Sequence, residues 1–234
     1  MTVELKLSIV TVCRNNPSEL ARTLSSIASY KNNPTVEWIV VDGSENTECK
    51  DSTISYLSPR DKYLFGSDAG PYDAMNKGLE IAQGNYIWFL NSGDEAILST
   101  EKALISSLCG ADLYCFPVHI LNSSGVELET TVRTSHGLRM AMGPHQGMLF
   151  KRDTLIGLGG FSLRYRVVSD YELILRMLAT KAVIECHYSP IAKFFLGGTS
   201  STRLKRVEEL RLRKEWGMMT NWSYTLRRLY GVIS

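Results

Sequence analysis

The chain has 234 residues, a length that suits one α/β domain with or without a small appendage. Hydrophobic residues make up 44% of it, an ordinary fraction for a globular protein with a packed core. The formal net charge is only +2, so the charge of the whole chain argues against nucleic acid as a partner.

The cysteines and the hydrophobic stretches favour a cytoplasmic protein. The five cysteines are scattered and form no CxxC pair, which favours reduced thiols over a disulfide framework. The mixed polarity of the first apolar stretch, Leu5–Val12, is not that of a signal peptide. No run approaches the roughly 18 apolar residues that a membrane span needs.

The first half of the sequence alternates strand and helix patterns. Strands are predicted at 5–12, 36–41, 63–65 and 86–90, and helices at 17–30, 48–57 and from Pro71 to a terminating Gly84. This order predicts a parallel sheet with right-handed crossovers. We therefore expect an α/β fold whose first half is Rossmann-like and binds a nucleotide.

Polar residues follow each of the predicted central strands. Thr11 and Asn15 lie at the end of the first, Asp42 ends the second, and the turn Asn91–Asp94 follows the most apolar one. Ligands bind at this edge of open α/β sheets. Neither GxGxxG nor GxxxxGK[ST] is present, so a divalent cation held by Asp94 is the candidate to neutralise a bound diphosphate.

The second half changes to a β-hairpin pattern from about residue 96. Strands are predicted at 111–120, 126–132, 148–150, 183–191 and 194–196, and helices at 98–108 and 171–179. This change marks the second half as a structurally distinct part of the chain.

Polar residues of this half provide further candidates. His145 and Gln146 lie between turn residues, and Gly198 and Thr199 belong to a loop that is able to wrap a phosphate. Asp170 begins a helix, where a carboxylate stabilises the helix dipole and is held in a fixed direction.

The C-terminal stretch is basic. Residues 201–234 carry eight Lys and Arg against three Glu, and apolar residues recur at helical spacing. A basic amphipathic helix with aromatic residues suits an anionic membrane surface. A solvated helix packed on the domain explains the same pattern.

Five segments together resemble family 2 glycosyltransferases with the GT-A fold. In chain order they are LSIVTVCRN, WIVVDGSEN, DAGPYDAMNKGLEIAQGNYIWFLNSGD, SDYELILRM and FFLGGTSS. The resemblance covers about residues 5–205. Within the family, the sequence most resembles bacterial enzymes of colanic acid, capsule and O-antigen assembly. It implies a GT-A domain over 1–202, with a nucleotide-sugar half (1–95) and an acceptor half (96–202), followed by a basic helical segment (203–234).

The resemblance implies roles for individual residues. Asp94 matches the carboxylate of the family's DxD motif that binds Mn²⁺ or Mg²⁺, and Asn91 replaces the first Asp of that motif. Asp170 matches the general base, with Ser169 where the family often has Glu. The remaining matches, in the nucleotide-sugar pocket, are Thr11, Asn15, Asp42, Asp68, Tyr72, Met75, Asn76 and Asn91.

The implied enzyme is inverting and metal-dependent. It adds one sugar per encounter, because the QxxRW motif of processive members is absent. The implied donor is a UDP- or GDP-sugar, and the implied acceptor is a polyprenyl-diphosphate-linked saccharide or an oligosaccharide at the inner face of the cytoplasmic membrane. A nucleotidyltransferase is disfavoured because its basic Gly-rich signature is missing. A non-catalytic nucleotide-sugar-binding module stays open because Asn91 replaces a carboxylate.

Overall fold

The computed structural model describes residues 4–97, 101–131, 143–197 and 203–218, with the backbone alone for 101–103. The strands are β1 (Leu7–Cys13), β2 (Val36–Asp42), β3 (Lys62–Phe65), β4 (Tyr86–Phe89), β5 (Glu95–Ala96), β6 (Leu113–Cys115), β7 (Val118–Leu121), β8 (Glu127–Thr130), β9 (Met148–Lys151), β10 (Ile184–Cys186) and β11 (Ala192–Phe195). The helices are α1 (Pro17–Ser26), α2 (Ala28–Asn32), α3 (Glu48–Thr53), α4 (Pro71–Ile81), α5 (Glu101–Ser107), α6 (Arg152–Gly157), α7 (Ser169–Ala179) and α8 (Arg203–Glu215).

The strands of the described ranges form two sheets. The larger has the order β10-β6-β9-β4-β1-β2-β3, and the smaller has the order β5-β11-β7-β8. In the larger sheet β1 is parallel to β2 and β4, and β9 is antiparallel to its neighbours β4 and β6. The predicted α/β fold, a mainly parallel sheet flanked by helices, is confirmed.

The core explains why the central strands are apolar throughout. Every residue of β1, β2 and β4 is buried, because helices or the smaller sheet cover both faces. Trp88 packs edge-to-face on Tyr30 on one face, and the next residue, Phe89, packs on Phe161 on the other. The carboxyl ends of these strands remain the open edge of the sheet.

The strand predicted at 111–120 is wrong as a single element. It is two strands, β6 and β7, which belong to different sheets. Pro117 lies between them and has no N–H to offer a ladder, while the N–H of Phe116 donates to Gly147 O at 2.7 Å. The chain leaves the larger sheet here. The predicted hairpin is present as the antiparallel pair β7 and β8.

The helix predicted at 17–30 is also interrupted. It divides into α1 and α2 at Ile27, which has φ −98° and ψ 7°. The hydroxyl of Ser26 donates to Thr23 O at 2.7 Å and accepts from the N–H of Ala96 at 2.9 Å. A side-chain hydroxyl that competes for a helical carbonyl weakens the helix at that point.

Gly84 does not end α4 in a left-handed conformation. The helix ends at Ile81, and the next residue, Ala82, is extended at φ −68° and ψ 141°. Gly84 is instead packed on β1, where an added Cβ would lie 2.5 Å from the N atom of Ser8 and 2.6 Å from the carbonyl carbon of Leu7. The close approach of two backbones, and not a turn conformation, is the requirement for glycine.

Helix α8 packs on the rest of the fold. The buried Leu212 joins a cluster with Tyr165, Val168 and Tyr171, which belong to α7 and the segment before it. None of the helices in the described ranges is long and apolar enough to cross a bilayer.

We expect Gly84→Ala to destabilise the protein by about 3 kcal/mol, because the added methyl meets backbone atoms that have no freedom to move aside. The free energy of unfolding is measured in urea by tryptophan fluorescence. The control is Gly157→Ala at the end of α6, where nothing lies within 4 Å of the added atom. Its change should stay within about 1 kcal/mol. Equal stabilities of the two variants would contradict the packing.

Candidate active site

A cleft of about 1020 Å³ lies at the carboxyl edge of the larger sheet. The turn after β4, the first residues of α4 and α7, β11 and α8 contribute to its walls. Seven of the residues predicted from the sequence line it: Tyr72, Met75, Asn91, Asp94, His145, Gln146 and Asp170.

The turn Asn91–Asp94 is fixed by a threonine of α1. The hydroxyl of Thr23 donates to Asp94 O at 2.8 Å and accepts from the N–H of Gly93 at 3.0 Å. Gly93 has φ +97°, and a side chain there would approach Arg22 and Glu19 to 3.2–3.3 Å. The turn therefore requires glycine for two reasons, and its position is set by a residue 70 positions earlier in the chain.

Asp94 is almost completely buried, with 5% of the residue exposed. Its Oδ2 accepts from Nε2 of Gln146 at 2.6 Å, and its Oδ1 accepts from the N–H of Phe195 at 3.2 Å. Burial raises the pKa of Asp94 to about 7, although these hydrogen bonds, His145 and Arg22 act in the opposite direction. The hydrogen bonds therefore do not fully compensate the burial of this carboxylate, and a cation next to it would stabilise the ionised form.

The side chains around Asp94 fit a hard divalent cation. In the described part of the chain, Oδ1 of Asn91 and Oε1 of Gln146 are buried without a hydrogen-bond partner. One carboxylate and two amide oxygens are the ligand types that Mn²⁺ and Mg²⁺ take, and substrate phosphates normally complete such sites. Because Asn91 is neutral, the protein supplies one negative charge where two aspartates would supply two.

His145 connects the turn to Asp170. Its Nε2 lies 3.3 Å from Nδ2 of Asn91, and its Nδ1 lies 3.3 Å from Oδ2 of Asp170. An amide nitrogen only donates, so with Asn91 in this orientation the neutral ring carries its proton on Nδ1 and donates to Asp170. Both side chains of the His–Asp pair are nearly buried, at 11% and 13% exposed.

Asp170 lies in the first turn of α7 and faces the cleft. Its Oδ1 accepts from the N–H of Tyr171 at 2.9 Å, and its Oδ2 is the oxygen that faces Nδ1 of His145. The neighbouring Tyr72 donates its hydroxyl to Val167 O at 2.8 Å. Burial raises the pKa of Tyr72 well above its usual value, so the phenol keeps its proton and remains a donor.

Cationic side chains that the sequence prediction missed also line the cleft. Arg22 stacks on Phe195 with its guanidinium 4.2 Å from the ring centroid. Arg166, Lys205 and Arg206 come from the segment before α7 and from α8. No local motif marks these residues, since the chain must fold before they share a wall.

Thr11 and Asp42 are placed beneath the edge of the sheet. Both are fully buried. The hydroxyl of Thr11 accepts from Nε1 of Trp38 at 2.9 Å. The carboxylate of Asp42 accepts from the N–H of Ser44 at 2.9 Å and from the hydroxyl of Tyr63 at 2.6 Å. In this structure both side chains are used inside the protein, and neither forms part of the cleft wall.

Three other predicted residues organise loops beside the cleft. The amide of Asn76 bonds the N–H and the carbonyl of Phe161, both at 2.8 Å. Asp68 lies against Gly43, where a Cβ would be 2.0 Å from Oδ2, and accepts from the N–H of Gly70. Asn15 accepts from the N–H of Glu45 at 3.0 Å. Gly198 and Thr199 lie outside the described residues.

The sequence matches known proteins over most of its length. The model of the family described as "Glycosyl transferase family 2" matches residues 8–169. An uncharacterized glycosyltransferase of Mycobacterium tuberculosis is 27% identical over 239 residues, with 93% of this chain and 88% of that protein aligned. A PGL/p-HBAD biosynthesis glycosyltransferase of Mycobacterium bovis is 26% identical over 204 residues, with 83% and 79% aligned.

The fold also matches solved structures. The crystal structure of S. aureus TarS 1–349 in complex with UDP-GlcNAc superposes with a TM-score of 0.71 at 17% identity. The match covers 89% of this chain and 64% of the TarS chain, so this chain spans less than two thirds of that protein's length. The likeness confirms the predicted GT-A fold.

Proposed function

The chain belongs to glycosyl transferase family 2, and we propose that it moves one sugar from a nucleotide-sugar donor to an acceptor hydroxyl, with inversion and with the help of a divalent metal. One observation carries the proposal. The buried carboxylate of Asp94 and the cleft-facing carboxylate of Asp170 share one cleft, in which His145 lies 3.3 Å from both Asp170 and Asn91, and the carbonyl of Asn91 accepts from the N–H of Asp94 at 3.0 Å. Two carboxylates in such different surroundings suit two different tasks.

Asp94, Asn91 and Gln146 would hold the metal in this proposal. A bound Mn²⁺ or Mg²⁺ stabilises the negative charge that develops on the leaving nucleoside diphosphate. Arg22 is the protein's own cation beside this turn, since its guanidinium nitrogen is the nearest atom to a side chain added at Gly93. Arg22 would act on the same developing charge as a metal held by these residues.

Asp170 accepts the proton in the proposed reaction. The acceptor's O–H bond breaks as its oxygen bonds to the anomeric carbon, and the bond from that carbon to the diphosphate oxygen breaks on the opposite side. The proton goes to Asp170, whose orientation the Nδ1–H of His145 maintains. A single displacement of this kind inverts the anomeric configuration.

The proposed donor is a UDP- or GDP-sugar. The TarS structure that shares this fold was solved with UDP-GlcNAc, which supports a uridine nucleotide. In this proposal Tyr72 and Met75 form the donor side of the cleft, and Asp68 and Asn76 hold the loops beside it. The buried Thr11 and Asp42 lie beneath the base-binding end and bind the nucleotide only indirectly, through the strand ends that they fix.

The proposed acceptor is a lipid-linked saccharide of bacterial surface polysaccharide synthesis, such as a polyprenyl-diphosphate-linked intermediate of capsule or O-antigen. The mycobacterial relative named for PGL/p-HBAD biosynthesis supports a glycolipid pathway more broadly. The basic segment that begins with α8 supports contact with the inner face of the cytoplasmic membrane.

A non-catalytic nucleotide-sugar-binding module is the second candidate. The neutral Asn91 in place of the first carboxylate of the metal motif is the observation that favours it. Such a module would bind the nucleotide without turnover.

Membrane contact is tested with vesicles of phosphatidylglycerol and phosphatidylcholine. Changing Arg203, Arg227 and Arg228 to Glu lowers the net charge from +2 to −4. At about 1 kcal/mol per basic residue, we expect at least about a 100-fold loss of binding to the anionic vesicles. Pure phosphatidylcholine vesicles are the control and should bind neither protein. Equal binding of the wild type and the variant to anionic vesicles would exclude this role for the segment.

We expect Asp170→Asn to bind donor normally and to lose about 10²–10⁴-fold in turnover, because proton acceptance is removed and the shape is kept. Turnover is measured as nucleoside diphosphate released from a panel of UDP- and GDP-sugars, with a polyprenyl-diphosphate disaccharide as acceptor and Mn²⁺ present. Asp153→Asn is the control, since that side chain is 85% exposed. Unchanged turnover in Asp170→Asn would remove it from the mechanism, and binding without turnover in the wild type would favour the second candidate.

A further inference from the structure

Glu208 of α8 is a buried carboxylate with an unusual set of partners. Its Oε1 accepts from the N–H of Arg166 at 2.9 Å, and its Oε2 accepts from the N–H groups of Val167 at 2.8 Å and Val168 at 3.3 Å. Only 8% of the residue is exposed, and within the described ranges no Lys or Arg forms an ion pair with it. Three successive backbone donors therefore compensate its charge.

These donors lie directly before α7. Val168 is the residue that precedes the helix, and its own side chain makes no capping hydrogen bond. The first N–H groups of a helix need acceptors from elsewhere. Glu208, which lies 40 positions after Val168 in the chain, supplies such an acceptor to the N–H of Val168.

A second contact holds the same segment from the other side. The hydroxyl of Tyr72 donates to Val167 O at 2.8 Å, while Glu208 accepts from the N–H of the same residue. Both polar groups of this residue's backbone are thus fixed by side chains of different helices. Asp170 follows three residues later and turns its Oδ2 to His145.

Helix α8 belongs to the same wall of the cleft. Lys205, Arg206 and Glu209 line the cleft, and the buried Leu212 packs against Tyr171. The family model ends at residue 169, so this helix lies beyond the part of the chain that the model matches.

We propose that Glu208 is a positioning residue for Asp170, which makes α8 part of the active site. The inference rests on the proposed function, in which Asp170 accepts the proton. Glu208 keeps the backbone before α7 in one place, and this fixes the distance between Asp170 and the acceptor hydroxyl. A displacement of about 1 Å at such a group costs about 100-fold in rate.

Glu208→Gln is the direct test. The amide keeps the size of the side chain but points an NH₂ group at backbone donors. We expect kcat to fall about 10–100-fold, with the KM for the donor within about twofold of the wild type. In the Asp170→Asn background the same substitution should cause no further loss of kcat, because it acts through a base that is already absent.

Glu215→Gln is the matched control on the same helix. Glu215 bonds the side chains of Arg164, Tyr165 and Arg211 but, unlike Glu208, accepts from none of the backbone N–H groups of residues 166–168 in the described structure, so kcat should stay unchanged. Tyr72→Phe removes the carbonyl side of the same clamp and should raise amide exchange at residues 166–168. It tests the clamp without Glu208 if Glu208→Gln fails to fold.

Amide hydrogen exchange at residues 166–168 gives a readout that needs no substrate. Glu208→Gln should raise exchange there, and Glu215→Gln should not. Unchanged exchange in Glu208→Gln, or a full multiplicative loss of kcat in the Asp170→Asn background, would overturn the proposal. A wild-type protein that protects these amides and turns over no donor would count against the proposed function and against Asp170 as the group that Glu208 serves.

Discussion

The burial of the Asp94 carboxylate is the constraint on which the site depends. A buried carboxylate costs free energy unless hydrogen bonds or a cation compensate it. Here Gln146 and the N–H of Phe195 supply the hydrogen bonds, and the turn itself is held by Thr23 of α1. These partners come from three separate segments, so the first helix, the loop before β9 and the smaller sheet must all dock before the site exists.

Three other buried carboxylates are compensated in different ways, and one of them, Asp42, accepts from the N–H of Ser44 and the hydroxyl of Tyr63. Glu37 pairs with Lys62 at 2.7 Å and accepts from the hydroxyl of Ser8, which fastens β1 to β2. In the described part of the chain, Glu208 accepts from backbone N–H groups before α7 and from no other donor. All three are satisfied within the protein, whereas Asp94 has a raised pKa and lies beside amide oxygens without a hydrogen-bond partner, including that of Asn91. This difference explains why Asp94 is the carboxylate that we assign to a metal.

The sequence predicted what local patterns control. The apolar runs at 36–41 and 86–90 were recognisable as buried strands, so the carboxylate after β4 could be placed at the edge of the sheet. Asp170 was placed at a helix start by the same logic. Contacts between distant segments were not predictable. Thr23, Arg22 and Glu208 reach the site from helices whose docking leaves no local signal, and no pattern revealed that Thr11 bonds Trp38 inside the core.

The most direct test of the account measures nucleotide binding by thermal shift. The wild type and Asp94→Asn are each mixed with UDP, GDP, CMP or dTDP, with and without Mn²⁺. We predict that one nucleoside diphosphate stabilises the wild type only when Mn²⁺ is present, by about 2.7 kcal/mol at one hundred times Kd, and that Asp94→Asn shows no such shift. No shift with any nucleotide, or the same shift without metal and in Asp94→Asn, would contradict a metal-assisted donor site at Asp94.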